Sequence, residues 1–332
     1  MKRTERKREG LSEKKLTEQV QRLLKERGSK PLEMARKAIL EEKIECKEAR
    51  EALKYFMTEY WQDLARPTLL SLCCEAVGGN PEITIPIAVS MTLISGGIDI
   101  HDDIIDQSKV KRNRPTVFGK FGKDIALLVG DALLFKGFTL LHEAVEKGIP
   151  VEKIAVIIGI IKNTFFELGD AEALELQFRG RLDVTSKEYL SVVEKKAADV
   201  EAHTRISAIL GNGTKREIET LGKFGRLLGM IIVLGDDMMD ASNIDELQHR
   251  VQSEHLPLPI LYALQNPKTK DRMMSFLSKE EITKRDLQKI RKIAEEDSNC
   301  SHLLRELIQE ASLQVDRVGE DRDNLKILLN SF

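Results

Sequence analysis

The sequence predicts an all-α protein built from long helices. Three observations carry this expectation. Apolar residues recur at helical spacing, as at Val151, Ile154, Ile158 and Ile161, and again at Leu221, Phe224, Leu228, Ile231 and Ile232. Proline is sparse, nine in 332 residues, so few positions force a helix to stop. No segment alternates apolar and polar residues in the manner of a half-buried strand. With 42% hydrophobic residues the chain can bury a large core, and no linker-like run divides it. The expected organisation is therefore a basic arm over residues 1–30 and a single all-α domain over 31–332.

Taken in chain order, the arm is strongly basic and reads as a solvated, disordered tail. A stripe of Leu16, Val20, Leu23 and Leu24 leaves a helical arm as the alternative. It lacks the apolar core and cleavage signal of a secretory peptide. Next comes the apolar run MTLISGGIDI, which leads into HDDIID and so carries Asp102, Asp103 and Asp106. The loop KVKRNRPTVFGKFG follows, with Lys109, Lys111, Arg112 and Arg114 before the helix-ending Pro115. Lys195 and Lys196 lie in the helical stretch EYLSVVEKKAADV. A last apolar run, LLGMIIVL, leads into GDDMMD with Asp236, Asp237 and Asp240.

Residues three and four apart share a helix face, so each acidic triplet forms a multi-carboxylate claw. A solvated helix face is the ordinary reading of such a triplet, but the apolar flanks argue against it here. Buried carboxylates need a cation. Oxygen-only ligands without His or Cys select a hard one such as magnesium, which keeps several waters and bridges to phosphates. Two such claws facing each other would hold a diphosphate through metal, with the loop cations beside them to bind its oxygens.

Composition sets other bounds. The formal net charge of −2 favours neither nucleic acid nor a general membrane surface as partner. The most apolar stretches are broken by Asp131 or by the Asp236 cluster, so no transmembrane segment is expected. Cys46, Cys73, Cys74 and Cys300 show no metal-ligand spacing, which fits a reducing cytoplasm.

In order, HDDIID, KRNRPTVFGKFG, ALLVGDALL, EYLSVVEKKA, GDDMMD and LPLPILYAL resemble the trans-isoprenyl diphosphate synthases, the polyprenyl synthetase family, from about Ala52 to the C-terminus. The likeness is to farnesyl and geranylgeranyl diphosphate synthases. It implies a bundle of long antiparallel helices around a central cavity, usually as a homodimer, with a heteromer as another arrangement. It implies that Asp102, Asp103, Asp106, Asp236, Asp237 and Asp240 bind Mg2+ and the allylic prenyl diphosphate. Lys111 and Lys195 would touch that diphosphate, and Arg112 the diphosphate of isopentenyl diphosphate. The implied reaction ionises the allylic diphosphate to a carbocation, which the isopentenyl double bond attacks. Asp102, Asp103, Lys195 and Asp236 are the expected catalytic residues.

The sequence also departs from the family pattern. The early Gly-Gly-Lys-Arg-x-Arg-Pro stretch reads WQDLARP: Arg66 survives as a substrate-binding residue, while Asp63 and Leu64 replace the Lys and first Arg. Ser95 stands for a His, Val233 for a Gln, and His255 for a Lys. The isopentenyl side is thus thinned, which keeps two alternatives open: a regulatory or partner subunit of a heteromeric synthase, and a lyase acting on a prenyl diphosphate alone. The lyase is the less favoured, because only 5% of the chain is aromatic and carbocation-guiding pockets favour aromatic faces. Gly96 and Gly97 leave room above the first claw for a product of geranylgeranyl length or longer, with helix packing as the competing reason for them. Asp99 is expected to pair with a cation on a neighbouring element.

Overall fold

The computed structural model describes residues 2–111, 113–319 and 321–332, with side chains from residue 14 onward. The chain is described as two compact units. The first takes Met1–Gly159, His203–Glu219 and Val318–Ser331; the second takes Ile160–Ala202, Thr220–Arg317 and Phe332.

The all-α expectation holds. The helices are α1 (Lys2–Leu40), α2 (Lys47–Tyr55), α3 (Ala65–Ala76), α4 (Ile85–Ile105), α5 (Val117–Phe121), α6 (Lys123–Glu143), α7 (Val151–Leu176) and α8 (Ser186–Lys196). They continue as α9 (Ala198–Leu210), α10 (Lys215–Ser242), α11 (Ile244–Ser253), α12 (Leu258–Gln265), α13 (Lys270–Leu277), α14 (Lys284–Ala294), α15 (Asn299–Asp316) and α16 (Asp323–Leu329). A π-helical turn, Phe56–Tyr60, continues α2. Among the described residues the strands are β1 (Val110–Lys111) and β2 (Arg114–Pro115), a two-stranded antiparallel hairpin too short for alternation to show in the sequence.

The N-terminal arm is helical rather than a loose tail. Leu16, Val20, Leu23 and Leu24 lie on the less exposed side of α1, which packs on α3 and α4. Arg27 pairs with Glu75 at 2.7 Å and Lys30 with Glu82 at 2.7 Å, fixing the helix laterally. The apolar stripe thus has a partner surface, which composition alone does not reveal.

Helices α4 and α6 make the most extensive pairing of the first unit. Glycine allows it. A Cβ on Gly97 would lie 2.8 Å from the Gly130 carbonyl oxygen and 2.8 Å from Leu134 Cγ, and one on Gly137 would lie 2.9 Å from the Ser90 carbonyl. The two backbones approach more closely than side chains would permit, so Gly97 serves helix contact and not cavity space. This corrects the product-length argument built on it. Gly96 faces elsewhere, onto the stacked rings of Phe56 and Trp61, whose centroids are 5.3 Å apart.

Two helical stretches, Pro81–Ile105 and Lys123–Glu143, are long and apolar enough to cross a membrane by length and composition, contrary to the expectation that acidic residues interrupt every such run. The first is 72% buried within the protein over its apolar window, as a core helix is. The second is only 39% buried. The difference is a face of α6 carrying Leu127, Leu128, Phe135 and Phe138, all exposed.

The second unit has its own core. Tyr189, Val192 and Val193 of α8, Leu234 of α10 and Leu258, Ile260 and Leu261 of α12 are buried together. Local signals place these helices. Thr185 and Glu188 form a capping box at the start of α8, and the Asn243 side chain accepts from the backbone N–H groups of Asp245 and Glu246 to start α11.

Candidate functional site

The first acidic motif occupies the last turn of α4 and the residue that caps it. Asp102 and Asp106, one turn apart, offer carboxylate oxygens within 4.8 Å of each other. Asp103 points inward and is 4% exposed. The hairpin, with Asn113 in the left-handed conformation at φ 59°, returns Lys111 to the motif. Lys111 Nζ lies 3.2 Å from Asp102 Oδ2 and 3.0 Å from Asp103 Oδ1. Burial raises the Asp103 carboxyl to about 6, against the lowering effect of Lys111. Burial by itself would lower the Lys111 ammonium, but Asp102 and Asp103 outweigh it and hold the ammonium well above its usual range. A half-exposed, oxygen-only set of paired carboxylates suits a hard divalent cation.

A pH dependence follows. An acid whose pKa is raised by folding binds more protons folded than unfolded, so its contribution to metal-free stability falls as pH rises from about 4 to 6. Metal binding has the opposite sign, because the ligand must be deprotonated. Mg2+ affinity at the first motif is expected to weaken as pH falls below about 6. Calorimetric titration at pH 5 and pH 7.5 checks this, and equal affinities at the two would contradict it.

Beside this motif, Asp99 accepts a 2.7 Å hydrogen bond from Trp61 Nε1 and lies 3.7 Å from Arg66 Nη2. The expected pairing of Asp99 with a cation is therefore present. Asp63 is no vestige of a lost cation. Its carboxylate accepts from the backbone N–H groups of Ala65 and Arg66 at 2.8 and 3.2 Å, starting α3, and from Arg66 Nη1 at 2.7 Å. Arg66 is thus held by two carboxylates of its own chain. Ser95 is buried in α4, and His101 Nε2 lies 3.3 Å from Asp131 on α6.

The second motif, on α10, has a different character. Asp236 is exposed and Asp237 is 2% exposed. Asp237 accepts hydrogen bonds from Tyr189 Oη at 2.7 Å, from the Leu258 N–H at 3.1 Å and from Arg250 Nη2. Arg250 Nε is 3.9 Å from Asp240 Oδ2 and its Nη1 is 3.0 Å from Glu254. Burial lifts Asp240 to about 6 in spite of Arg250. His255 touches Tyr189 Oη at 3.2 Å and Glu175 at 3.2 Å, and Lys196 pairs with Glu172 and Glu175. Lys195 pairs with Asp170 at 2.8 Å. Asp236 is exposed and Asp240 faces Arg250, while Asp237 is buried and already bonded by three donors.

The family profile for polyprenyl synthetase matches residues 47–294. The chain belongs to the polyprenyl synthetase family. It is similar to a short chain isoprenyl diphosphate synthase of Methanothermobacter thermautotrophicus, 34% identical over 213 residues that take in 62% of this chain and 64% of that protein. It is also similar to a geranylgeranyl diphosphate synthase of Methanosarcina mazei, 34% identical over 192 residues covering 58% of each. Both matches span less than two thirds of the relative's length. The crystal structure of a geranylgeranyl pyrophosphate synthetase from Pyrococcus horikoshii superposes with a TM-score of 0.82 at 25% identity, over 95% of this chain and 98% of that one.

Against this polyprenyl synthetase frame, the structure gathers Asp102, Asp103, Asp106 and Lys111 in one unit and Asp236, Asp237 and Asp240 in the other. It places Arg66 against Asp63 and Asp99, and Lys195 against Asp170. Arg112 lies outside the described residues. Sequence reasoning missed Arg250 and Tyr189. Arg250 follows Asp237 by 13 residues, with no spacing rule to connect them, and Tyr189 is 48 residues away. Asp63 was readable: an Asp just before a helix start can accept from the first backbone N–H groups, here those of Ala65 and Arg66.

Proposed function

We propose that this polyprenyl synthetase is a magnesium-dependent trans-prenyltransferase that condenses an allylic prenyl diphosphate with isopentenyl diphosphate. The observation that carries it is the first motif: paired Asp102 and Asp106 oxygens with a buried Asp103 and the Lys111 ammonium at 3.0–3.2 Å. Asp102, Asp103 and Asp106 would hold the metal. When bound, Mg2+ supplies charge stabilisation to the departing diphosphate. Lys111 would add a point charge toward the same leaving group. No side-chain nucleophile is required, since the isopentenyl double bond attacks the allylic cation and the released pyrophosphate takes the proton. Lys195, Asp236 and Asp240 belong to this proposal on family resemblance. A product of geranylgeranyl length or longer rests on the names of the similar synthases and not on Gly97. Incubation with labelled isopentenyl diphosphate and allylic primers of several lengths, with and without Mg2+, tests the reading; no labelled prenyl product from any primer would refute it for the isolated chain.

The hold of Asp63 and Asp99 on Arg66 favours a second reading, a partner subunit whose isopentenyl side is closed. The two part at Asp63→Ala. Loss of the α3 cap is expected to lower stability by about 1 kcal/mol. Release of Arg66 is expected to lower the isopentenyl Michaelis constant about tenfold, the scale of one charge-assisted hydrogen bond. An unchanged constant would show that Arg66 does not meet the second diphosphate. Elongation that appears only when a second synthase chain is added would establish the partner subunit.

The exposed face of Leu127, Leu128, Phe135 and Phe138 on α6 supports a homodimer as the working form, a second copy covering this face. Light scattering is expected to give twice the 37.6 kDa chain mass. A monomer at micromolar concentration would oppose that. We place the protein in the cytoplasm, in keeping with its free cysteines.

A further inference from the structure

We propose that the second acidic motif carries its own permanent cation: Arg250 serves Asp237 and Asp240 where the family resemblance assigns metal, and Asp237 is an anchor and not a ligand. Three donors converge on Asp237. Its Oδ1 accepts from Arg250, and its Oδ2 accepts from Tyr189 Oη and from the Leu258 N–H. An ionised carboxylate has about four acceptor sites, so three donors at 2% exposure leave almost nothing for a metal ion. A metal approaching it would have to displace a backbone N–H, a buried phenol and a guanidinium.

Arg250 is itself placed by the fold. Its Nη1 is fixed by Glu254 at 3.0 Å, and Glu254 is held in turn by His249 Nε2 at 2.9 Å. Its Nε faces Asp240 at 3.9 Å. The guanidinium therefore spans one turn of the acidic helix between Asp237 and Asp240, the place a bridging divalent ion would take. Unlike a metal ion it cannot dissociate, and it remains charged at any working pH. Any metal that this motif binds would then have to be held without Asp237, by Asp236, which is exposed, and Asp240. The inference borrows from the synthase reading only the assignment of metal to this motif.

Counting bound Mn2+ by electron paramagnetic resonance, in the presence of inorganic pyrophosphate, tests it without turnover. Asp237→Asn is expected to leave the Mn2+ count of the wild type unchanged while lowering the melting temperature by about 5 °C or more. Arg250→Gln is expected to gain one Mn2+, with part of its lost melting temperature restored by that metal. A count that falls by one in Asp237→Asn overturns the proposal, as does an Arg250→Gln protein that folds and gains none. Should Arg250→Gln not fold, Arg250→Lys, expected to match the wild-type count, and Asp237→Asn decide it: a gained ion in the lysine variant overturns the proposal. Wild type that binds no Mn2+ at all would instead remove the synthase reading, while a metal site appearing in Arg250→Gln would still support Arg250 as the resident cation.

Discussion

Asp102→Asn is expected to reduce prenyl transfer by about 10²–10³-fold or more while the helical circular dichroism stays the same. The two effects differ in size for a physical reason. If the proposed function holds, losing a metal ligand would withdraw several kcal/mol of charge stabilisation from the step in which the diphosphate leaves. Structurally, Asp102 contributes a half-exposed ion pair with Lys111 at 3.2 Å, and such pairs are worth about 0–1 kcal/mol. Asp103 remains to hold Lys111 at 3.0 Å. Labelled-product formation at saturating Mg2+, read together with a thermal melt, checks both halves. Activity within tenfold of the wild type would mean that the first motif does not bind the reacting diphosphate through metal.

The second large effect is on stability. Gly97→Phe is expected to lower the melting temperature by roughly 5–10 °C, from an overpacking penalty of about 3 kcal/mol. A Cβ at this position already lies 2.8 Å from both the Gly130 carbonyl and Leu134 Cγ, and backbone cannot swing aside as a flexible side chain can. The phenyl ring would have to push α6 away from α4, the main helix pair of the first unit. Had Gly97 lined open space, the same change would leave the melting temperature almost unaltered and shorten the product. A thermal melt and product chromatography separate the two, and an unchanged melt with a shorter product would restore the cavity view.

Much of the site was legible because its chemistry is local. HDDIID and GDDMMD announce claws through i, i+4 spacing, and Lys111 follows the first claw closely enough for a hairpin to return it. The pairing of Asp99 was legible as a need, since an acid in an apolar run demands a partner. Its partners Trp61 and Arg66 were not, because they arrive from other elements. In the sequence, WQDLARP and His255 read as losses of cations. Folded, Asp63 caps α3 and restrains Arg66, while Arg250 and His255 join a buried network with Tyr189, Asp237 and Glu175.

By itself, the sequence determined the helical class, the two acidic motifs, the cations beside the first and the family. These depend on periodicity and short spacings, which survive without knowledge of distant neighbours. Only the tertiary structure decided which carboxylates stay available. Asp103 and Asp237 hold the same place in their motifs and both are buried, yet Asp103 pairs with Lys111 while Asp237 is enclosed by three donors, all of them from helices other than its own. It also decided that Gly97 marks a helix contact and that residues 14–30 form a docked helix. Burial and hydrogen-bond partners are set by which elements pack together, and packing is a property of the folded chain that no local spacing encodes.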